Sequence, residues 1–284
     1  MSNIARVFPR KTTASPDDAL AFFGPPPEDS IGLVKIIDEV HVSVTFSYDL
    51  ERAKELAKAW EHVAPVKIGG PALGDPGGDF VSGMYLKPGY TITSRGCPNN
   101  CWFCDVHTRE GGIRELPIVT GSNLLDSNIL ACSMSHIERV FDMLKNTDVP
   151  PQLTGGLEAK ILTYRHVEML WDLRPSQMFF AYDTPDDLDP LIVAGELLRY
   201  ANFTRSHLRC YVLIGHPKDT FDAATDRLTE TWEAGFMPMA MLWKNKQGDE
   251  DREWRAFQRC WARPSLTKRQ MQNHFSSVLR GSGY

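Results

Sequence analysis

The sequence predicts an α/β protein: a partial (β/α)6 barrel with a small α/β unit before it and a helical extension after it. Three observations carry this expectation. Six strand-like runs follow one another from residue 90 onward at a pitch of roughly 30 residues, the size of one strand-plus-crossover unit. Helical patterns fall between most of them, which favours parallel strands with helical crossovers. Three cysteines crowd the end of the first run, and in such sheets chemistry gathers at the C-terminal strand ends.

Residues 1–30 lack periodic pattern, contain Gly24-Pro25-Pro26-Pro27, and read as an irregular leader. A strand is expected over Val40–Phe46 and a helix over Asp49–His62. Asp49 is placed to cap that helix, and Leu50, Ala53, Leu56, Ala57 and Trp60 lie at helical spacing. Val66–Ile68 supplies a second strand, completing a βαβ-like unit. The stretch from Gly69 to Gly83 holds six glycines and two prolines and reads as a linker.

The later strands are expected at 90–94, 116–125, 152–158, 178–182, 208–214 and 236–243. Helices are expected at 135–144, 164–173, 187–200 and 220–234, with Asp187 and Thr220 as caps. Six repeats are too few to close an eight-stranded barrel, so an open one is expected. Past Asn245, Trp254, Phe257 and Trp261 recur at i, i+3 and i+7. They mark one face of a helix packed over the barrel's open side. The expected division is 1–85, 86–245 and 246–284.

The 284 residues carry 42% hydrophobic and 24% charged side chains, the balance of an ordinary globular protein. A net charge of −5 gives no electrostatic reason to expect a nucleic-acid partner. No apolar run is long enough for a membrane span, and the N-terminus has no signal-peptide core. Of six cysteines, three cluster while Cys132, Cys210 and Cys260 lie apart, which is not the spacing of a disulfide framework. The expected compartment is the reducing cytoplasm, and the scattered cysteines are expected to be buried small hydrophobes. His41, inside an apolar strand, is expected in the core.

The cluster reads Cys97-Pro-Asn-Asn-Cys101-Trp-Phe-Cys104. Three thiolates, where four close an iron–sulfur cluster, leave one iron open to another ligand. His107 keeps a Cys3His zinc site open as an alternative, and an electron-transfer module is the non-catalytic reading.

Ser94-Arg95-Gly96-Cys97 through Phe103-Cys104 resembles the cluster loop of the radical S-adenosylmethionine (radical SAM) superfamily, with Phe103 as the aromatic before the third cysteine. Asn123–Leu130, Gly155–Ala159, Phe180–Asp183 and Tyr211–Pro217 resemble the family's later strand ends, so the likeness covers about residues 86–245. The resemblance implies a [4Fe–4S] cluster on Cys97, Cys101 and Cys104. S-adenosylmethionine would chelate the open iron and be cleaved reductively to a 5′-deoxyadenosyl radical that abstracts hydrogen from a substrate. It also implies cofactor contacts from Phe103, Asn123, Asp126, Asn128, Glu158, Asp183, Tyr211 and Met241. An electron donor such as flavodoxin or ferredoxin and a small-molecule or peptide substrate follow. The second strand has Gly121-Ser122-Asn123 where many members have Gly-Gly-Glu. A methylthiotransferase-like modifier of RNA or protein is the alternative within the superfamily. The N-terminal unit resembles a remnant of the cobalamin-binding domain of some relatives. It lacks their Asp-x-His-x-x-Gly loop, so cobalamin is not expected.

Overall fold

A computed structural model of the chain describes residues 3–28, 32, 36–75, 77–245, 247–249 and 251–281, with side chains up to 272. Two compact units emerge. The first comprises Met1–Asn128, Met134–Thr147 and Lys246–Gly248; the second comprises Ile129–Ser133, Asp148–Asn245 and Asp249–Tyr284.

The first unit begins with a parallel sheet of β1 (Ile4–Val7), β2 (Ala21–Phe22), β3 (Glu39–Ser43) and β4 (Val66–Gly69) in the order β2-β1-β3-β4. Ala5 and Val7 of β1, and Val40 and Val42 of β3, have no exposure. Helix α1 (Leu50–Trp60) buries Ala53, Leu56, Ala57 and Trp60 on them. Burying such a strip of aliphatic and aromatic surface contributes about 1.5–3 kcal/mol per large side chain.

Three expectations change here. The leader is not irregular, because its residues 4–7 and 21–22 are strands. Runs of four and two residues are too short to show a period, and Arg6 disguises the first. Arg6 is buried because its guanidinium meets Asp18 and the carbonyls of Gly83 and Met84. Leader residues 1, 2, 29 and 30 lie outside the described set. His41 is half-buried rather than in the core: strand alternation turns it away from Val40 and Val42, and Tyr85 and Glu39 engage its ring. Asp49 sits at the N-cap of α1 without capping it, its carboxylate being held by Arg10 through Nε and Nη2.

The same unit holds the parallel pair β5 (Tyr90–Thr91) and β8 (Asn123–Leu124) and the antiparallel pair β6 (Ser94–Arg95) and β7 (Arg114–Glu115). It also holds one helical turn, α2 (Val106–Arg109), and helix α3 (Met134–Lys145), which buries Ile137, Val140, Phe141 and Leu144. The expected strand at 90–94 is therefore split, and that at 116–125 shrinks to two residues. Pro117 has no N–H to give a ladder, and Thr93 spends its N–H on a side chain described below.

In the second unit β9 (Gln152–Leu153), β10 (Gln177–Tyr182), β11 (Leu208–Ile214) and β12 (Met237–Leu242) run parallel in sequence order. Helices α4 (Tyr164–Leu173), α5 (Leu188–Tyr200) and α6 (Phe221–Glu233) connect them, within one or two residues of the expected ranges. The strand expected at 152–158 stops at Leu153, short of Gly155-Gly156. Thr220 caps α6, its hydroxyl accepting from the Ala223 N–H at 3.2 Å. Asp187 instead closes the turn before α5, accepting from the N–H groups of Asp183 and Thr184. Phe180, Tyr182, Cys210, Val212 and Ile214 are buried on one face of the sheet, while Ala181, Tyr211, Met239 and Met241 on the other keep exposure.

Helix α7 (Arg252–Trp261) lies on the edge strand β12, and α8 (Pro264–Gly281) follows it. The expected aromatic face forms. The rings of Trp254 and Phe257 stand 4.3 and 5.4 Å from Phe221. Cys132 and Cys210 are buried, but Cys260 is exposed, because it lies on the outer face of α7. Among the described residues no helix is long and apolar enough to cross a membrane.

Candidate metal and cofactor site

The cysteine loop leaves β6 through Gly96, whose φ is +84°. A Cβ there would lie 2.2 Å from the Gly112 carbonyl oxygen, so only glycine fits. The base of the loop is closed by two hydrogen bonds: Gly96 N–H donates to Glu110 Oε2 at 3.0 Å and Cys97 N–H to the Gly111 carbonyl at 3.1 Å. Within it, Cys104 N–H donates to the Cys101 carbonyl at 3.1 Å. All three cysteines lie outside any disulfide and are half-buried, and burial pushes the Cys104 thiol up. Among the described residues no three His, Cys, Asp or Glu side chains, His107 included, are grouped to hold a single metal ion. Gly96→Ala is expected to cost about 2 kcal/mol or more. A lowered denaturation midpoint and poorer iron and sulfide uptake would register it.

Asp126 stands behind the loop. It is 1% exposed, and its Oδ1 accepts from Thr93 N–H at 2.7 Å. Its Oδ2 accepts from the hydroxyls of Thr93 at 2.7 Å and Ser94 at 2.6 Å. Burial pushes its carboxyl up, and the three donors pull it part of the way back. Asp126 thus clamps the chain that enters the loop. Asn128 is also buried and directs its side-chain N–H at the Cys97 sulfur, 3.8 Å away. Phe103 is half-buried and edge-on to Trp102, with ring centroids 5.4 Å apart. Asn123 is half-buried at the start of β8, its N–H on the Gly89 carbonyl. Asp126 and Asn128 are therefore gathered at the Phe103-containing loop within the first unit.

The second unit carries the other four residues. Asp183 directly follows β10, and its Oδ1 accepts from Leu213 N–H at 3.1 Å. Leu213 pairs in register with Met241, and Tyr211 with Ala181 and Met239. Asp183, Tyr211 and Met241 therefore share the C-terminal end of one sheet face. Tyr211 tilts on Phe179 at 4.9 Å, and burial raises its phenol. Glu158 is half-buried at the start of the 3-10 turn Ala159–Ile161.

Burial, with the like charge of Asp187 beside it, pushes the Asp183 carboxyl up to about 7. The folded state then holds a proton that the unfolded chain releases near 3.8, so this group's contribution is full below pH 4 and is lost as pH rises to about 7. Asp183→Asn is expected to flatten the fall in melting temperature between pH 4 and pH 7. Parallel curves for the two proteins would contradict the shift.

Reading the sequence misses Thr93, Ser94 and Glu110. Each acts through a partner 14 to 33 residues away, and no local spacing announces such a pairing.

No protein-family model and no curated protein sequence matches the chain. Solved structures do. The radical S-adenosylmethionine methyltransferase TsrM from Kitasatospora setae, with cobalamin and a [4Fe–4S] cluster bound, aligns with a TM-score of 0.63 at 12% identity, over 90% of this chain and 79% of that one. The same enzyme with its tryptophan substrate and a SAM analogue aligns at 0.61 and 10%, over 86% and 73%. At these identities the likeness is one of fold: the chain has a fold similar to that of a radical SAM methyltransferase.

Proposed function

We propose that the protein is a radical SAM enzyme in which Cys97, Cys101 and Cys104 hold a [4Fe–4S] cluster and S-adenosylmethionine takes the open iron. One observation carries the reading: three half-buried cysteines outside any disulfide sit on one loop braced by the protein itself, in a fold similar to that of an enzyme of that chemistry. Soft thiolates are the natural ligands of such a cluster, and the Asn128 amide aimed at Cys97 is the kind of outer contact that tunes one. A bound, reduced cluster would supply the one electron that splits the sulfonium into methionine and a 5′-deoxyadenosyl radical able to take a hydrogen atom from the substrate.

The chain's own contribution is to bind and orient. Asp126 fixes the approach to the loop, and Phe103 offers an aromatic face beside it. Asn123, Glu158, Asp183, Tyr211 and Met241 are the remaining candidates for the nucleoside and methionyl groups. We read the strand–helix order as an open partial (β/α)6 barrel. A cytoplasmic setting, a flavodoxin- or ferredoxin-type donor and a small-molecule or peptide substrate complete the proposal. The similarity to a methyltransferase favours a second reading, methyl transfer from S-adenosylmethionine.

Anaerobic reconstitution with iron and sulfide, then dithionite and S-adenosylmethionine, decides between them. Release of 5′-deoxyadenosine supports hydrogen abstraction; methyl transfer is supported by S-adenosylhomocysteine that forms only when a methyl-accepting substrate is added to the same mixture. A colourless protein that retains zinc under these conditions sinks both.

A further inference from the structure

We propose that the first unit carries a second ligand site, for a mononucleotide-sized molecule with a planar ring and a phosphate, at the C-terminal edge of its four-stranded sheet. The site stands independently of the cluster reading. In the order β2-β1-β3-β4, β2 and β4 lie on opposite sides of the central β1–β3 pair, which makes that pair the switch point of the sheet. Open parallel sheets bind ligands just outside the strand ends at such a point. A cavity of about 570 Å³ lies there, walled by the C-terminal halves of β3 and β4, by residues that follow β1, β3 and β4, and by the flanks of the cysteine loop. That volume falls in the small-molecule range of about 300–1,000 Å³.

The charges in the wall are unevenly satisfied. Arg10 is held by Asp49, and Lys67 and His41 by Glu39. Arg95 and Arg109 are different, because each has a buried Nε–H with no hydrogen-bond partner among the described residues. Arg95 stands 4.0 Å from Glu110, whose other oxygen is taken by Gly96, and the Arg109 guanidinium makes a long contact of 3.4 Å to the Thr45 carbonyl. A buried donor left unmet is costly, and a guanidinium fork matches a phosphate in geometry and charge. Phe46, Phe80 and Tyr85 line the same space and offer faces for a ring.

A corrinoid, as bound by the structural neighbour, fits these residues poorly. Among the described residues the wall holds one histidine, His41, and it sits in mid-strand with both ring nitrogens engaged. A corrin ring with its nucleotide tail also needs the upper end of the volume range or more.

Isothermal titration of the full chain with FMN and AMP, and with riboflavin and adenosine as the phosphate-free controls, tests the site. One phosphate compound is expected to bind one-to-one and at least tenfold more tightly than its control. Arg95→Gln and Arg109→Gln are each expected to weaken it about tenfold or more. Val81→Trp, at a rim residue that is 61% exposed and tolerant of change, is expected to block entry while leaving the circular dichroism spectrum unaltered. Failure of both phosphates to bind, equal affinity for the phosphate-free controls, or one-to-one binding of hydroxocobalamin blocked by Val81→Trp would each overturn the proposal. None of these results bears on 5′-deoxyadenosine release, so the two readings fail separately.

Discussion

Replacing Cys101 with alanine is expected to abolish the brown chromophore formed on reconstitution, or to leave an unstable remnant, and to end S-adenosylmethionine cleavage. The loop offers three thiols, so the loss of one leaves two of a cluster's irons without a protein donor. Cys97→Ala and Cys104→Ala should behave alike. Cys210→Ala is the control: its thiol is fully buried on the helix-covered face of the second sheet, away from the loop in sequence and in unit. A small buried thiol is a packing group, and its loss should cost stability and spare the colour. Ultraviolet–visible spectra and iron counts of the four variants read this directly. Disappearance of the chromophore in Cys210→Ala alone would mean that the ligand set is wrong.

Asp126→Ala is expected to be the most damaging substitution outside the cysteines. It strips the acceptor from Thr93 N–H and from two hydroxyls, all in the interior. Each buried donor left unmet costs about 1–3 kcal/mol, and whole domains are stable by only about 5–15 kcal/mol. Asp126→Asn keeps one carbonyl oxygen for the backbone donor and should fall between. Urea denaturation of the three proteins separates them. An alanine variant as stable as the parent would remove the clamp from the account.

The helices were legible because a 3.6-residue period over ten or more residues is a strong signal: α4, α5 and α6 lie where Val167, Leu170, Leu191, Ala194 and Leu228 required. The long strands β10 and β11 were legible for a different reason, as mainly apolar runs of six and seven residues between helical patterns. The two-residue strands were not. Tyr90–Thr91 and Asn123–Leu124 are held by pairing with one another, a non-local fact, and Ile4–Val7 is central yet only four residues long. In the site, the cysteines announced themselves by spacing. Asp126 was visible as a carboxylate at a strand end, but its task depended on Thr93 and Ser94, 32 to 33 residues upstream. Arg95 and Arg109 were invisible as a pair, since only the fold brings the two ends of the loop to one cavity.

The bracing of the cysteine loop bears on how such a protein acquires its cofactor. Glycine conformation, backbone pairs at its base and the Asp126 clamp shape the segment through bonds that involve no thiol. Ordering a loop of this length from a random chain would cost about 1–2 kcal/mol per residue; here the polypeptide meets that cost as it folds. If the loop takes a cluster as proposed, loading should need the thiols to turn onto an already folded loop, unlike zinc modules whose folding waits for the ion. Oxidative loss of such a cluster would then be repairable on the folded protein, with no passage through a denatured state.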